Sequence, residues 1–428
     1  MGRKRVVMGQ SSVCSVAIVG TGPYGLSLAA HLEAAGVDYR IFGKPMDLWR
    51  THMPKGMMLK SDGFASSLSA PEAGARLEDY CSTHHIPYSG LGFPVPVGDF
   101  VDYADWFRNK FVHRLDSRMV EHLAKDGEGY VLTLEGGETV AAEQVVLAVG
   151  ITSFPVIPSE FHGVPPHLVS HSYDHRTVDQ FAGRKVIVVG AGASAVNLAY
   201  ELDLVRSDVA LLVRRDHVEY HQPPSRKPRT LMQRLRWPSS PVGPGWRSWF
   251  CATFPGLFYR LSQQLRARAV RLHMRPAAGW FMRDRVKDKV RVLLQRRIRE
   301  VTVEGEGLTL HLSDGTRQAC DHVICATGYD IDVRRLGFLD PRLAAAIVDP
   351  GQKSFVGPDF QTSLPGLYAV GPMAMENFGP LLRFVAGVEY AAPRLAATLR
   401  RRARLMAWER RLKTLLRPAP ATAAAQKA

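Results

Sequence analysis

The sequence predicts an α/β protein with two parallel-sheet domains, the second inserted in the first and carrying a helical, basic insertion. Two observations predict this class. Two strand–turn–helix–strand units each contain a glycine-rich turn, and two segments of fifteen residues, at 136–150 and at 314–328, resemble each other without gaps. A strand that leads through a helix to a second, parallel strand is the unit of doubly wound sheets. The pattern is therefore typical of two Rossmann-like dinucleotide-binding domains.

The first unit starts with a valine-rich run at 13–19, which fits a buried parallel strand. The turn GTGPYG at 20–25 precedes a helical pattern over 26–35, and 39–42 forms the returning strand. Glycines in such a turn permit a tight bend and the close approach of a ligand, while the helix N-terminus offers N–H groups to a pyrophosphate. The predicted cofactor-binding residues of this unit are Gly20, Gly22, Pro23, Tyr24 and Gly25.

The second unit runs through a strand at 186–189, the turn GAGASA at 190–195, a helix to about residue 204 and a strand at 209–213. Its context is the same as that of the first unit, a buried strand before the turn and a helix after it. We therefore predict a second set of cofactor-binding residues at Gly190, Gly192, Ser194 and Ala195.

Arg214 and Arg215 follow the last strand of the second unit, where a Rossmann unit contacts the adenosine ribose. Two arginines there suit the 2′-phosphate of NADPH better than the free hydroxyl of NADH. The alternative is that they belong to a solvated basic face, which continues through Arg226, Lys227 and Arg229.

The two copies of the fifteen-residue segment align without gaps and end in Ala-x-Gly, at Gly150 and Gly328. Each copy predicts a hairpin leading into an apolar strand, and glycine at the strand end lets the backbone approach a ligand. Gly150, Thr327 and Gly328 are accordingly predicted to bind cofactor. We place the first domain at 1–153 and 316–401, and the second at 154–315 with a helical cap at about 221–299. A basic helix and a disordered tail are predicted at 402–428.

The composition and charge of the chain limit its possible location, metal sites and partners. The chain has 428 residues, 46% of them hydrophobic, and a formal charge of +15 whose excess lies mainly at 214–299 and 400–417. No apolar run is long enough to span a bilayer, so we expect a cytoplasmic protein. The five cysteines include no C-x-x-C pair, and no histidine spacing suggests a metal site. We expect no nucleic-acid partner, whereas contact with an anionic membrane and the oligomeric state stay open.

In these motifs the chain resembles the class B flavoprotein monooxygenases, which include flavin-containing monooxygenases, Baeyer–Villiger monooxygenases and ornithine and lysine N-hydroxylases. The likeness spans most of 13–399. It is carried by the turns at Gly20 and Gly190, the segment ATGY at 326–329, and an F-x-G-x-x-x-H linker at 161–167. The resemblance implies that the first domain binds FAD and the second binds NADPH, with NADH the weaker candidate.

The resemblance also implies roles for single residues. Lys60 and Ser61 would approach flavin N5 from the segment at 49–61, although without the likeness such a Met- and Trp-rich stretch is more often hydrophobic core. His171 follows the linker where the family often has an aromatic residue, and Asn377 precedes a helix predicted from about residue 381. These four are the predicted catalytic residues, with hydrogen-bonded loop histidine as the alternative for His171.

Further cofactor contacts follow from the same resemblance: Gly43, Trp49, Leu59, Val120 and Gly371. Two departures from the family pattern accompany them. The strand at 39–42 ends in Gly43-Lys44 where an acid usually holds the ribose. Pro372 stands where many flavoproteins place an acid toward the ribityl chain.

The implied function is an NADPH-using monooxygenase that uses dioxygen to form a C4a-(hydro)peroxyflavin. Its substrate would be a small N- or S-containing nucleophile, with heteroaromatic rings such as urate included. Two alternatives remain at this stage: an NAD(P)H-dependent flavin reductase that passes electrons to a partner, and a non-catalytic, basic flavin-fold binding protein.

Overall fold

A computed structural model describes residues 12–223, 230–347 and 355–415 of the chain. The strands in these ranges are β1 (Ser12–Val19), β2 (Tyr39–Phe42), β3 (Leu115–Asp116), β4 (Val120–Asp126), β5 (Gly129–Leu134), β6 (Thr139–Leu147), β7 (Val169–His171), β8 (Lys185–Val189), β9 (Asp208–Leu212), β10 (Arg291–Leu293), β11 (Ile298–Glu304), β12 (Gly307–Leu312), β13 (Arg317–Cys320), β14 (His322–Cys325) and β15 (Leu367–Ala369). The α-helices are α1 (Pro23–Ala34), α2 (Leu77–Thr83), α3 (Val97–Phe111), α4 (Ala193–Leu204), α5 (Leu231–Arg236), α6 (Trp246–Thr253), α7 (Pro255–Tyr259), α8 (Gln263–His273), α9 (Arg283–Val286), α10 (Pro341–Ile347), α11 (Met375–Phe378) and α12 (Val388–Leu415).

The first sheet is centred on β1, which pairs in parallel with β2 on one side and β6 on the other. The strand order is β3-β2-β1-β6-β5-β4, and β15 pairs in parallel with the carboxyl half of β6. β4 and β5 form an antiparallel hairpin against the amino half of β6. α1 packs against α3 and α12. The first predicted unit is therefore confirmed, with strands from both ends of the chain in one sheet.

The second sheet is parallel throughout, in the order β10-β9-β8-β14-β7. A separate antiparallel sheet, β11-β12-β13, packs against it through a cluster that contains Phe161, Leu310 and Val323. This arrangement confirms the predicted α/β class with two Rossmann-like folds.

The recurring segment supplies the strand beside the first strand of each unit, β6 beside β1 and β14 beside β8. The chain consequently stays in the second sheet through β14 and rejoins the first sheet only at β15, later than the predicted boundary at residue 316. β10 adds to the edge of the second sheet, so the cap helices end before the predicted limit near residue 299.

Two helices, α1 and α12, differ from the sequence prediction. α1 begins at Pro23, three residues early, because proline at the first helical position has a pre-set φ angle. α12 begins at Val388 instead of residue 381, and two short 3₁₀ turns precede it. The predicted basic helix at 402 is the continuation of α12, and the predicted tail at 418–428 lies outside the described residues. No helix within the described ranges is long and apolar enough to cross a membrane.

Candidate active site

The two glycine-rich turns are built alike. Gly20 has a φ of +111° and Gly190 a φ of +146°, values that glycine adopts readily and other residues rarely do. A Cβ atom at Gly20 would lie 2.4 Å from the carbonyl oxygen of Ala148, and one at Gly190 would lie 2.5 Å from that of Ala326. Ala148 and Ala326 occupy the same position of the recurring segment. Both copies of the repeat therefore serve the same structural purpose: each supplies a strand end that passes close to a glycine-rich turn.

The helix that follows each turn presents free N–H groups. Gly22 and Gly192 are the N-cap residues of α1 and α4, and no side chain of the described chain caps either helix. No described atom lies within 4 Å of a Cβ built at Gly22. The uncapped N-terminus of α1 therefore faces open space, whereas a Cβ at Gly192 would lie 3.6 Å from the Cβ of Pro276. Uncapped N–H groups of this kind fit the pyrophosphate of a dinucleotide. Ser194 is exposed in the first turn of α4, whereas Ala195 is buried.

Tyr24 ties the first turn to the C-terminal part of the chain. Its hydroxyl lies 2.9 Å from the carbonyl oxygens of Leu382 and Phe384. These two carbonyls, which precede α12, are thereby tied to the first turn. Gly371 has a φ of +73° and its Cβ would lie 3.0 Å from the Tyr24 ring, so glycine makes room for that ring. Gly25 is equally constrained, since a Cβ there would lie 1.9 Å from the carbonyl oxygen of Gly20.

The loops after β6 and β14 lie beside the two glycine-rich turns, at the carboxyl ends of the parallel strands. No described atom lies within 4 Å of a Cβ built at Gly150 or Gly328, so both glycines border open space. The Thr327 hydroxyl donates to the carbonyl oxygen of Val156, whose own N–H donates to the Gly328 carbonyl at 3.0 Å. Thr327 therefore holds the loop in place, while the two glycines leave room for a ligand.

The predicted flavin-facing segment divides into buried and open parts. Trp49 packs edge-on against Phe100, with ring centroids 4.7 Å apart. Leu59 is buried, and its N–H donates to the Val95 carbonyl at 2.7 Å. Val120 is buried in β4 opposite Leu134. Leu59 and Val120 belong to the hydrophobic core of the first domain, and Trp49 packs against it. For Trp49 and Leu59 this favours the alternative interpretation of the stretch at 49–61 as hydrophobic core.

Gly43 ends β2 with a φ of +128°, and its N–H donates to the Asp116 carbonyl at 3.0 Å. The Asp116 side chain forms ion pairs with Arg40 and Arg118, and the hydrogen bond from Arg118 lowers the pKa of Asp116 to about 2. An acid thus lies near the end of β2, although the sequence of that strand contains none. The negative charge of Asp116 is already paired with Arg40 and Arg118.

Lys60 and Arg383 form a positive region that sequence reasoning found only in part. The Lys60 side chain is accessible to solvent but crowded by protein, and this desolvation, followed by the charge of Arg383, lowers its pKa. Arg383 lies over the Tyr329 ring at 5.5 Å and forms no ion pair or hydrogen bond with the described residues. Ser61, beside Lys60, is half-buried.

His221 joins this region from the second domain. Desolvation, followed by the positive charge of Lys60, lowers the pKa of His221 to about 4, so the ring is neutral at pH 7. Glu219 acts in the opposite direction on both groups, raising the pKa of Lys60 and of His221. Lys60, Arg383 and His221, together with Asn377 below, make up the candidate polar site. The signal that could have found Arg383 is a lone cation within the apolar run at 380–388.

Asn377 is buried, and its side-chain N–H donates to the Val356 carbonyl at 2.7 Å. Its Oδ1 atom has no hydrogen-bond partner among the described residues. A buried acceptor without a partner is unfavourable, and a bound group that donates an N–H would satisfy it. Asn377 is therefore the predicted catalytic residue whose surroundings best fit a ligand contact.

His171 is placed differently from the prediction. It is 1% exposed, its Nδ1 accepts from the Tyr173 N–H at 3.1 Å, and its Nε2 lies 3.1 Å from the Gly328 carbonyl. Burial lowers its pKa, and the bond to a carbonyl makes Nε2 the protonated nitrogen. Both ring nitrogens are therefore engaged with the backbone. These contacts favour the hydrogen-bonded loop histidine over the predicted catalytic role.

Arg214 and Arg215 follow β9 as expected, but they differ in their contacts. Arg215 is half-buried and forms an ion pair with Glu219 at 3.4 Å. Arg214 is exposed and has no ion pair within the described residues. Arg214 is thus the more available of the two for a phosphate. The proposed continuation of a basic face through Arg226, Lys227 and Arg229 lies outside the described residues.

A comparison with protein families shows to which family the chain belongs. The profile of the family described as pyridine nucleotide-disulphide oxidoreductase matches residues 14–235 and 264–399, which include both turns and β15. The chain belongs to this family. The membership confirms the predicted class of enzyme, an oxidoreductase built on paired dinucleotide-binding folds. The unmatched stretch at 236–263 lies among the cap helices.

Curated relatives of this family member include plant and bacterial enzymes. Indole-3-pyruvate monooxygenase YUCCA1 of Oryza sativa subsp. japonica is 29% identical over 194 residues, which are 43% of this chain and 44% of that protein. YUCCA4 of the same plant is 26% identical over 367 residues, 74% of each chain. The ferredoxin–NADP reductase of Streptococcus pneumoniae serotype 2 is 28% identical over 214 residues, 48% of this chain and 56% of that protein. The match to YUCCA1 thus spans less than half of that relative.

Solved structures share the fold over nearly the whole chain. Ornithine hydroxylase PvdA from Pseudomonas aeruginosa has a TM-score of 0.72 at 18% identity and covers 91% of this chain and 99% of its own. Ornithine N-hydroxylase KtzI from Kutzneria sp. 744, in a structure with reduced FAD, NADP⁺ and L-ornithine, has a TM-score of 0.71 at 18% identity with the same coverage. The resemblance to class B flavoprotein monooxygenases is thereby confirmed at the level of the fold.

The cysteines set this member of the pyridine nucleotide-disulphide oxidoreductase family apart from a dithiol enzyme. All five lie in the described ranges and are buried as free thiols. Burial raises the pKa of Cys14, Cys320 and Cys325 to about 12 and that of Cys251 to about 11. Thiols with such pKa values carry almost no thiolate at neutral pH. The cysteines are therefore poor candidates for a redox pair.

A cavity of about 630 Å³ lies elsewhere, between the β5–β6 edge and α12, and is lined by charged side chains that include Asp126, Glu143 and Arg402. Val13, at the start of β1, also borders it. Ligands of doubly wound folds bind at the carboxyl ends of the strands, whereas this cavity adjoins the amino end of β1. It is therefore separate from the candidate active site.

Proposed function

We propose that the chain is an FAD-dependent, NADPH-using monooxygenase that oxygenates a small nucleophilic nitrogen or sulfur compound. The balanced reaction consumes one substrate, one NADPH, one proton and one O₂, and yields the oxygenated substrate, NADP⁺ and water. The observation that carries the proposal is the pair of matched turns, each followed by an uncapped helix N-terminus. Two such sites fit two dinucleotides.

The residues present fit both cofactors. The amides that start α1 would hold the pyrophosphate of FAD, and those that start α4 would hold that of NADPH. Arg214 would bind the 2′-phosphate. Bound FAD supplies hydride acceptance from NADPH and electron transfer to dioxygen. Asn377, with its unused Oδ1, would orient a bound group that donates an N–H.

The substrate class is supported by charge in the site. Lys60 and Arg383 are crowded cations, and the carboxylate that acts on Lys60 is Glu219 of the second domain. Desolvated cations bind an anionic group more strongly than cations in water do. We infer that the substrate carries an acidic group as well as the nitrogen or sulfur nucleophile. Heteroaromatic acids such as urate remain within this class.

A flavin reductase that passes electrons to a partner is the second candidate, favoured by the likeness to ferredoxin–NADP reductase over 48% of the chain. The buried, high-pKa thiols oppose the version of this reaction that ends on a dithiol. A purely binding role is disfavoured by membership in an oxidoreductase family.

Stopped-flow absorbance of purified, FAD-loaded protein distinguishes the candidates. The flavin is first reduced with NADPH without oxygen, then mixed with oxygen while near-ultraviolet absorbance is followed. A long-lived oxygen-dependent transient, and NADPH oxidation matched by product in a screen of acidic amines and thioethers, are the results we expect. Direct reoxidation without a transient, together with efficient reduction of an added electron acceptor, would instead establish the reductase.

A further inference from the structure

The cap, which comprises α5 to α8 with the segments that join them, is attached to the protein through α6, α7 and α8. Phe258 of α7 is 1% exposed and its ring lies about 3.3 Å from a Cβ built at Gly379. Tyr259 stacks on Phe378 with ring centroids 5.3 Å apart. Cys251 and Val270 are buried with Phe258 in a small cluster. The position of the cap on the protein is thus fixed by burial of these residues.

The exposed side chains of the cap, which we together call the cap surface, include many large apolar ones. Every residue of α5 is exposed. Eight large apolar side chains of the cap are each between 43% and 74% exposed: Leu231, Met232, Leu235, Trp237, Trp246, Phe254, Leu257 and Leu265. Scattered exposed apolar residues are normal, but a concentration of this kind marks a binding surface.

Aromatic contacts join the parts of the cap surface. The Trp237 ring, after α5, lies 3.3 Å from a Cβ built at Gly245, the N-cap of α6. Trp246 and Trp249 have ring centroids 5.4 Å apart, and Trp249 and Phe254 have the same separation. Contacts between aromatic rings therefore extend from Trp246 to Phe254, and the Trp237 ring packs beside the start of α6.

The same segment is strongly basic. Between Glu219 and Asp284 the sequence has twelve arginines and lysines and no aspartate or glutamate. Seven arginines here are exposed and form no ion pair with another described residue. They are Arg234, Arg236, Arg247, Arg260, Arg268, Arg271 and Arg275. The cap surface thus combines apolar side chains with uncompensated positive charge.

The choice of partner follows from this combination. A second copy of the cap surface would bring two sets of unpaired arginines together, which is unfavourable. Nucleic acid would pair with the arginines but would not bury leucine and methionine side chains. The interface of an anionic bilayer satisfies both, because headgroups attract the arginines while apolar side chains enter the acyl boundary and tryptophans favour the interface. We propose that the cap surface docks the protein on anionic lipid membranes.

Vesicle flotation with full-length, FAD-loaded protein tests the docking. The vesicles contain phosphatidylcholine alone or phosphatidylcholine with roughly one-third phosphatidylserine, since an anionic surface attracts basic residues that lie near it. We expect flotation with the anionic vesicles, at least tenfold weaker binding to neutral vesicles, and weaker binding at high salt. Equal binding to both kinds of vesicle, or to neither, would overturn the proposal.

Two sets of variants locate the surface. Leu231→Ser, Met232→Ser and Leu235→Ser together change only exposed side chains of α5, so the fold and the FAD content are expected to be retained. This variant is expected to bind anionic vesicles at least tenfold less tightly. The matched control is Leu405→Ser with Trp408→Ser, since both residues are exposed on the basic end of α12. Binding lost in the control and kept in the α5 variant would refute the cap as the docking site.

Further measurements test whether the tryptophans of the cap surface enter the bilayer and whether the cap surface binds a different partner. Brominated lipids quench tryptophan only on contact, so quenching is expected to fall when Trp237→Phe and Trp246→Phe are combined. Light scattering without lipid reports self-association, and titration with duplex DNA reports nucleic-acid binding. An oligomer or a DNA complex that the α5 serine variant disrupts, in a protein that does not float with vesicles, would replace the membrane with that partner.

Discussion

At the residue scale, the charge of the candidate polar site depends on Arg383. This cation packs on the Tyr329 ring and is desolvated, which lowers its own pKa. Tyr24 and Tyr329 flank it electrostatically, although neither is ionised at neutral pH, since burial raises the pKa of both phenols. Arg383 therefore acts as an uncompensated positive charge beside Lys60.

We predict that Arg383→Met raises the pKa of Lys60. Burial is the first cause of the lowered pKa and the charge of Arg383 the second, so the substitution removes one cause and leaves the other. Lysines methylated with ¹³C report the titration by NMR, and Lys60→Arg identifies the resonance. Arg394→Met is the control, because Arg394 lies 4.0 Å over the Tyr390 ring on α12. An unchanged Lys60 midpoint in Arg383→Met would contradict the assignment.

A second prediction at this scale concerns cofactor choice. Arg214→Ala is expected to raise the KM for NADPH about tenfold or more and to leave the KM for NADH nearly unchanged, because a hydrogen-bonded charge pair contributes about 1.5–3 kcal/mol. Arg215→Ala should have a smaller effect, since Arg215 is engaged with Glu219. Steady-state kinetics with both nucleotides measure the difference, and Arg299→Ala, an exposed arginine on β11, is the control. Equal losses with both nucleotides would exclude the 2′-phosphate role.

At the element scale, each Rossmann-like unit depends on a strand end that crosses its glycine turn. β6 ends beside β1, and the Ala148 N–H donates to the Val19 carbonyl at 2.8 Å. β14 ends beside β8, and the Ala326 N–H donates to the Val189 carbonyl at 2.9 Å. The bonds fix the strand ends, so neither turn can move away from an added side chain.

We predict that Gly20→Ala and Gly190→Ala impair different cofactors. The new methyl group would meet a backbone oxygen in each case, so we expect a loss of roughly 2–4 kcal/mol in the free energy of unfolding. Gly20→Ala should lose bound FAD, measured by the ratio of flavin to protein absorbance. Gly190→Ala should keep FAD and lose anaerobic reduction by NADPH.

Gly127→Ala is the matched control for these substitutions. Gly127 has a φ of +55° in the β4–β5 turn, but no described atom lies within 4 Å of its Cβ. The conformational cost alone is about 1 kcal/mol. If Gly127→Ala destabilised the protein as much as Gly20→Ala, backbone conformation and not the strand crossing would account for the effect.

At the scale of the whole molecule, the sequence predicted those features of the structure that short segments determine. The turns at Gly20 and Gly190 were predictable because backbone approach dictates glycine at fixed spacing. The apolar run at 380–388 singles out Arg383 as a cation, but its place beside Lys60 was not predictable, since it depends on Tyr24, whose hydroxyl contacts a carbonyl 358 residues away in sequence. Likewise, the role of His171 depends on backbone partners that no side-chain pattern reveals. The position of β14 in the second sheet could have been predicted from the repeat, because each copy supplies the strand beside the first strand of its own unit.

The stability of the whole molecule should depend on pH through buried histidines. Gln180 donates to His175 Nδ1, and the Ser170 hydroxyl lies 2.6 Å from His175 Nε2 and 2.7 Å from His322 Nε2. His322 Nδ1 in turn lies 3.1 Å from the His167 carbonyl. The consistent assignment is a chain of donors running from Gln180 to that carbonyl, with both rings neutral. The chain joins β7, β14 and the segment between β7 and β8.

We therefore predict that the free energy of unfolding falls as pH decreases from about 6.5 to about 4. Burial lowers the pKa of His322 to about 4, so the unfolded chain takes up protons in this window that the folded chain does not. His322 alone accounts for about 2 kcal/mol at pH 5. Urea unfolding at pH 7.5 and pH 5.0, with FAD in fixed excess, measures the difference. His322→Gln should be less stable at pH 7.5 but lose less stability on acidification, whereas His122→Gln, an exposed histidine on β4, should behave like the natural protein. Identical pH dependence in His322→Gln and the natural protein would show that other groups carry the effect.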